Sequence, residues 1–213
     1  MAAAPPVEES RVNAWEAVAG VLAAHPWVTR VAVCADGAAV LPSGAGVEAL
    51  RAHGRQALLD AWRAWLSEHH APTPAAWRLY DDWTQAPAET VLQQPRPTAA
   101  LIDGEHAGDD GALALALRLP LDLDCFDDHF PTLPVLPGVL QLQWALAFGA
   151  QRFGTPRACR RMEMLKFQNL LRPGDRPLLR LRHDAAAHRL HFAYLLGGIE
   201  ASSGRFAWEG GAA

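Results

Sequence analysis

Residues 126–149, "FDDHFPTLPVLPGVLQLQWALAFG", set a proline-stiffened loop directly against an apolar helical run. Pro131, Pro134 and Pro137 each fix φ and remove a backbone donor, so this loop suits neither a central strand nor a helix interior. It holds the imidazole of His129 at a fixed place. Pro137 fits the first turn of a helix, and the pattern "GVLQLQWALAFGAQRFG" that follows is closed by Gly154. The free N–H groups of such a helix start point outward, and Gly138 lets a ligand oxygen come close to them. Together they could polarise a ligand's carbonyl oxygen, with a neutral His129 as a base beside it. Two readings stay open for the helix face of Leu140, Trp144, Ala147 and Phe148: core packing, or one wall of an apolar ligand tunnel. His129 is likewise open, as a base or as a structural hydrogen-bonder.

Around this helix the second half of the chain is strand-like. "ALALALRLPLDL" alternates, and "RRMEMLKFQNLL", "RPLLRLRHD", "HRLHFAYLL" and "IEASSGRFAWE" follow the helix. Their joints, residues 172–175, three alanines and Gly197-Gly198, are turn chemistry, which predicts antiparallel meanders. One buried helix against a bent antiparallel sheet is the expected architecture. In the first half, "RVNAWEAVAGVLAAH" has helical spacing with Ser10 as its N-cap. "WVTRVAVCA" reads as a strand, "GVEALRAHGRQALLDAWRAWLSEHH" as a helix and "AAWRLYDDW" as a strand, a small α/β unit. The proline-bearing "TQAPAETVLQQPRPT" reads as a linker rather than a helix. The expected division is a disordered 1–9, a small α/β domain over 10–92 and a second domain over 93–213. The fold class is α+β.

The chain has 213 residues, half of them apolar and a fifth charged, enough for a real core. Its net charge is −4, with no basic run to mark a nucleic-acid footprint. The N-terminus lacks the basic and apolar regions of a secretory signal, and no apolar run is long enough for a membrane span. Cys34, Cys125 and Cys159 are widely spaced and form no metal-like pair. They read as reduced thiols, which predicts a cytoplasmic protein. Cys125 has no basic neighbour in sequence to activate it and reads as packing. His191, between Leu190 and Phe192 on a strand, reads as structural.

Residues 128–140 carry more than local chemistry. His129-Phe130-Pro131, then Pro134-Val135, then Pro137-Gly138-Val139-Leu140 resemble the hotdog-fold 3-hydroxyacyl-acyl-carrier-protein dehydratases of the FabZ and FabA type. "VLPGVLQLQWALAFG" and "LKFQNLLRPGD" are similar to their ApeI-like branch, from aryl-polyene and xanthomonadin pigment clusters. The resemblance covers about residues 96–210. It implies a hotdog fold, no cofactor and no metal. It further implies an acyl thioester on the phosphopantetheine arm of an acyl carrier protein, and a homodimer or a heterodimer with another hotdog protein. His129 would be the base, and Phe130, Pro137, Gly138, Val139, Leu140 and Trp144 would contact substrate.

One position breaks the pattern. Fourteen residues after the motif histidine the family carries a Glu or Asp that protonates the departing β-hydroxyl; here the count lands on Gln143. An amide can hydrogen-bond a hydroxyl but gives up no proton near neutral pH. Three readings follow: a dehydratase using another donor, with Asp127 and Asp128 as candidates; a subunit that binds substrate or completes a heterodimer; and a hotdog thioesterase. Thr132 also stands where many relatives have glycine. In the first half, "GRQALLDAWRAWLSEHHAPTPAAWRLYDDWTQAPAETVLQ" resembles the C-terminal subdomain of acyl-adenylate-forming synthetases. The chain's one lysine, Lys166, lies in the other half, and no phosphate-loop signature is present. Residues 10–92 therefore read as a relic or partner of such an enzyme, or as an unrelated docking module.

Overall fold

The computed structural model describes residues 7–34, 37–82, 87–108, 111–128 and 130–209, with the side chains of 7–13 left aside. The chain divides into two compact units. The first comprises residues 1–98 and 120–134, the second 99–119 and 135–213. The first unit thus takes in residues 120–134 from the second half of the chain.

In the first unit α1 (Val7–Ala23) begins inside the stretch expected to be disordered, and Ser10 lies within the helix rather than capping it. The strands β1 (Val28–Cys34) and β2 (Gly37–Pro42) form an antiparallel hairpin, and β3 (Ala76–Leu79) lies parallel to β2. A parallel neighbour requires a long crossover, and α2 (Gly44–Glu68) supplies it, capped by the Ser43 hydroxyl accepting from Gly46 N–H at 3.2 Å. Val18, Leu22, Val40, Leu50, Leu58, Trp62 and Leu66 fill the core, with Trp62 stacked on Trp77 at 5.7 Å. The segment expected to be only a linker contains a short helix, α3 (Ala88–Gln93), started by Pro87, whose fixed φ is already suited to a helix entry. A side chain at Gly37 would collide with Leu92 of this helix.

The second unit is a six-stranded antiparallel sheet with one long helix. The strands β4 (Leu101–Ala107), β5 (Leu113–Arg118), β6 (Arg161–Phe167), β7 (Leu178–Asp184), β8 (Arg189–Leu196) and β9 (Ile199–Ala207) are ordered β4-β5-β7-β8-β9-β6. The meander expected from the turns holds for β7, β8 and β9. It fails for β6, which pairs with β9 at the sheet edge instead of with β7. β4 went unread because its residues 101–107 show no apolar alternation and are nearly all exposed.

Leu115, Leu117, Leu179, Leu181, Leu190, Phe192 and Phe206 alternate inward to make the core, as half-buried strands must. The helix over Gly138–Phe153 ends on Gly154 at φ +69, the left-handed C-terminal cap that glycine favours. It lies so close to β8 that a Cβ on Gly149 would stand 2.2 Å from the Leu190 side chain. Among the described residues, no helix is long and apolar enough to cross a membrane.

Candidate active site

The motif straddles both units: residues up to Pro134 belong to the first, and those from Val135 to the second. Its histidine, His129, lies outside the described residues.

In the first unit the approach to that position is a short helix, α4 (Cys125–Asp128), tethered by charge. Asp122, 2 % exposed, meets Arg55 Nε at 2.7 Å and both Arg78 and Arg96 at 3.4 Å. Arg96 also donates to the carbonyls of Asp122 (3.0 Å) and Leu123 (3.1 Å) and ion-pairs with Asp127. Asp128, by contrast, is exposed. After the histidine, Phe130 sits at φ +53, a left-handed conformation unusual for a bulky residue, and Leu133 N–H donates to its carbonyl at 2.8 Å. Phe130 itself is 61 % exposed. Cys125 is half-buried, and burial with the Asp124 charge pushes its thiol up to about 12, so it stays protonated and no thiolate is available.

In the second unit Pro137, Gly138, Val139, Leu140, Gln143 and Trp144 all stand at the start of one helix, α5 (Gly138–Phe153). Leu140 and Gln141 N–H both turn back to the Pro137 carbonyl, at 3.0 and 3.2 Å. The N–H groups of Gly138 and Val139 precede any helical acceptor and are the free donors of this terminus. Gly138 has a packing reason to be glycine: an added Cβ would lie 2.8 Å from the Phe167 ring.

Sequence reasoning missed what fixes this terminus. Gln141 is 4 % exposed; its amide donates to the Leu136 carbonyl at 3.1 Å and accepts from Ser202 Oγ at 2.5 Å, while Tyr194 Oη donates to its backbone carbonyl at 2.8 Å. The one available signal was a polar residue in the apolar helical stripe.

The helix divides into faces. Leu142, Trp144, Ala145 and Leu146 are buried, while Val139, Gln143 and Ala147, at intervals of four, form an exposed stripe. Leu140 and Phe148 are half-buried, so the residues expected to line a tunnel span the flank between core and solvent. In this single chain the Gln143 side chain faces water. A groove of about 300 Å³ lies elsewhere, over β6, β8 and β9, lined by Lys166, His191, Glu200 and Arg205 among others. It contains none of the motif residues. Among the described residues, no cluster of His, Cys, Asp or Glu is placed to hold a metal.

Residues 105–205 match the family model described as ApeI-like, ApeI dehydratase. Among solved structures, the dehydratase heterocomplex ApeI:P from Xenorhabdus doucetiae is 33 % identical over 51 % of this chain and 96 % of that one, with a TM-score of 0.46. An uncharacterized protein from Erwinia carotovora subsp. atroseptica is 29 % identical over 51 % of this chain and 94 % of its own, also at 0.46. A bifunctional dehydratase-cyclase domain in ambruticin biosynthesis is 22 % identical over 57 % of this chain and 44 % of that chain, at 0.38. No curated protein matches the chain significantly. With its His-Phe-Pro and Pro-Gly motif inside the matched span, the chain belongs to the ApeI-like family of hotdog dehydratases.

Proposed function

We propose that this chain is a dehydratase-type hotdog subunit that takes a 3-hydroxyacyl thioester from an acyl carrier protein, and that it eliminates water only beside a second hotdog chain. The observation that carries this reading is Gln143, an amide on the exposed stripe of α5, one turn from the free N–H groups of Gly138 and Val139. Elimination breaks the α C–H and the β C–O bonds, forms the α,β double bond and releases water. His129 takes the α proton, and the helix terminus stabilises the charge gathering on the thioester oxygen. The departing hydroxyl still needs a proton, which Gln143 does not provide. Asp127 is committed to its ion pair with Arg96, and Asp128 stands in solvent. A partner's carboxyl is therefore the donor, in an acyl-thioester pathway of the fatty-acid or aryl-polyene kind.

The edge strand supports a partner. Along β6 and just beyond it, Met162, Met164, Phe167 and Leu170 are all about half exposed or more. An unpaired edge with apolar side chains is a template for another strand. Pairing two sheets across it would cover this row.

The test is dehydration of a 3-hydroxyacyl-acyl-carrier protein, followed by enoyl-thioester absorbance, with the chain alone and mixed with a second hotdog dehydratase. Activity confined to the mixture and lost with His129→Ala is expected. Full activity of the chain alone would contradict the need for a partner. Binding without turnover in every mixture would make the chain a non-catalytic subunit. The first unit, which has no lysine, is proposed to form no acyl adenylate, and pyrophosphate exchange by the purified chain would overturn that.

A further inference from the structure

We infer that the N-terminal residues 1–98 act as a positioning scaffold for the loop that bears His129, with Arg96 and Gly54 as its two control points. The catalytic consequence rests on the dehydratase reading above; the mechanical part does not.

Segment 120–134 is built into the first unit by contacts that all lie within it. Leu121 packs in that unit's apolar core, and its N–H donates to Asp81 Oδ1 at 2.8 Å. Asp124 N–H donates to the Pro97 carbonyl at 2.9 Å. Arg96 spends its planar fork on two successive carbonyls and the Asp127 carboxylate, which a point-charge lysine cannot reproduce. It thereby fixes both the entry to α4 and the residue two before His129.

The other side of the loop rests on α2. That helix is interrupted at Gly54, with φ +84 and ψ 170, and a Cβ built there would stand 1.7 Å from the Pro131 carbonyl oxygen. The interruption of a 25-residue helix is thus the space in which the carbonyl two residues after His129 is seated. Arg55, the next residue, reaches Asp122 and the Trp77 carbonyl from the same break. Asp127 and Pro131 are thus each anchored within the first unit.

The test uses the full chain with its hotdog partner and 3-hydroxybutyryl-N-acetylcysteamine as substrate. Arg96→Ala and Gly54→Ala should each lower kcat by about tenfold to a hundredfold, the cost of a misplacement near 1 Å, with KM within about twofold. Gly20→Ala, where nothing lies within 4 Å of the added carbon, should leave both unchanged. Arg96→Lys should recover only part of kcat, because it restores the charge and not the fork. Both variants folded with wild-type kcat would overturn the inference.

Should wild type itself turn nothing over, the dehydratase reading fails and hydrogen exchange decides the scaffold alone. Loss of protection over 120–134, with 178–207 unchanged, upholds it; unchanged protection in both variants overturns it. If Arg96→Ala does not fold, Gly54→Ala and Arg96→Lys carry the same two readouts.

Discussion

The segment before His129 and the helix after it are held by opposite means. In the first unit the fastening is ionic: one buried carboxylate, Asp122, gathers three guanidinium groups from α2, β3 and the chain before β4. In the second it is apolar packing around a single neutral amide, Gln141. Charge from distant parts of a chain specifies where a loop sits, since removing any member leaves the others uncompensated. A neutral amide in an apolar helix, bonded to Ser202 and with its backbone carbonyl bonded by Tyr194, sets the helix's register against its sheet.

The sharpest way to break this contrast is Asp122→Asn. Three arginines would then face one another with their carboxylate gone, and the cost expected is about 3–5 kcal/mol. Urea unfolding read by peptide-resolved hydrogen exchange should show the loss over residues 50–80 and 120–134, with β7 to β9 spared. An equal loss in both units would remove the distinction. Gln141→Ala should do the reverse at lower cost, about 1–3 kcal/mol, by stranding the Ser202 hydroxyl and the Leu136 carbonyl. Its loss should appear in the second unit and leave 120–134 protected.

The smallest effect is a pH slope. Burial, then the charges of Arg182 and Arg205, hold the His191 imidazole below its usual range; Arg189 acts the same way and Asp184 opposes. With the folded value depressed, the unfolded chain takes up the proton first as pH falls below about 6.5. Stability from this residue is thus complete above that pH and declines below it. His191→Gln should flatten that part of a thermal-melting profile; an unchanged slope would show that another group sets it.

The same contrast explains what could be read from sequence. The helix Gly138–Phe153 and strands β7 to β9 announce themselves through 3.6 and 2.0 periodicity and through Gly and Pro punctuation, which are local signals. The edge placement of β6 was not legible: pairing with β9 rather than β7 is a matter of long-range strand order, to which its own turn is indifferent. Arg55, Arg78, Arg96 and Asp122 lie up to 67 positions apart, so nothing local marks them as one cluster. Gly54 read as an ordinary helix residue, because a break that seats another segment's carbonyl has no signature in its own helix. The motif itself was legible by resemblance, and Gln143 stood out as its departure. Its exposure was not legible, since that follows from which face of the helix the sheet takes.

That exposure sets the most direct measurement. A carboxyl introduced by Gln143→Glu faces water in the single chain and stays ionised near neutral pH, whereas burial against a second hotdog chain would raise its pKa toward the working range of a general acid. Dehydration of a 3-hydroxyacyl thioester should therefore be compared for wild type and Gln143→Glu, each alone and each with the partner chain. The prediction is no gain for the variant alone and little gain in the pair, where a partner carboxyl already donates the proton, with turnover of the pair abolished in both backgrounds by His129→Ala. A wild-type chain that dehydrates quickly by itself, with Gln143→Glu changing nothing, would contradict it.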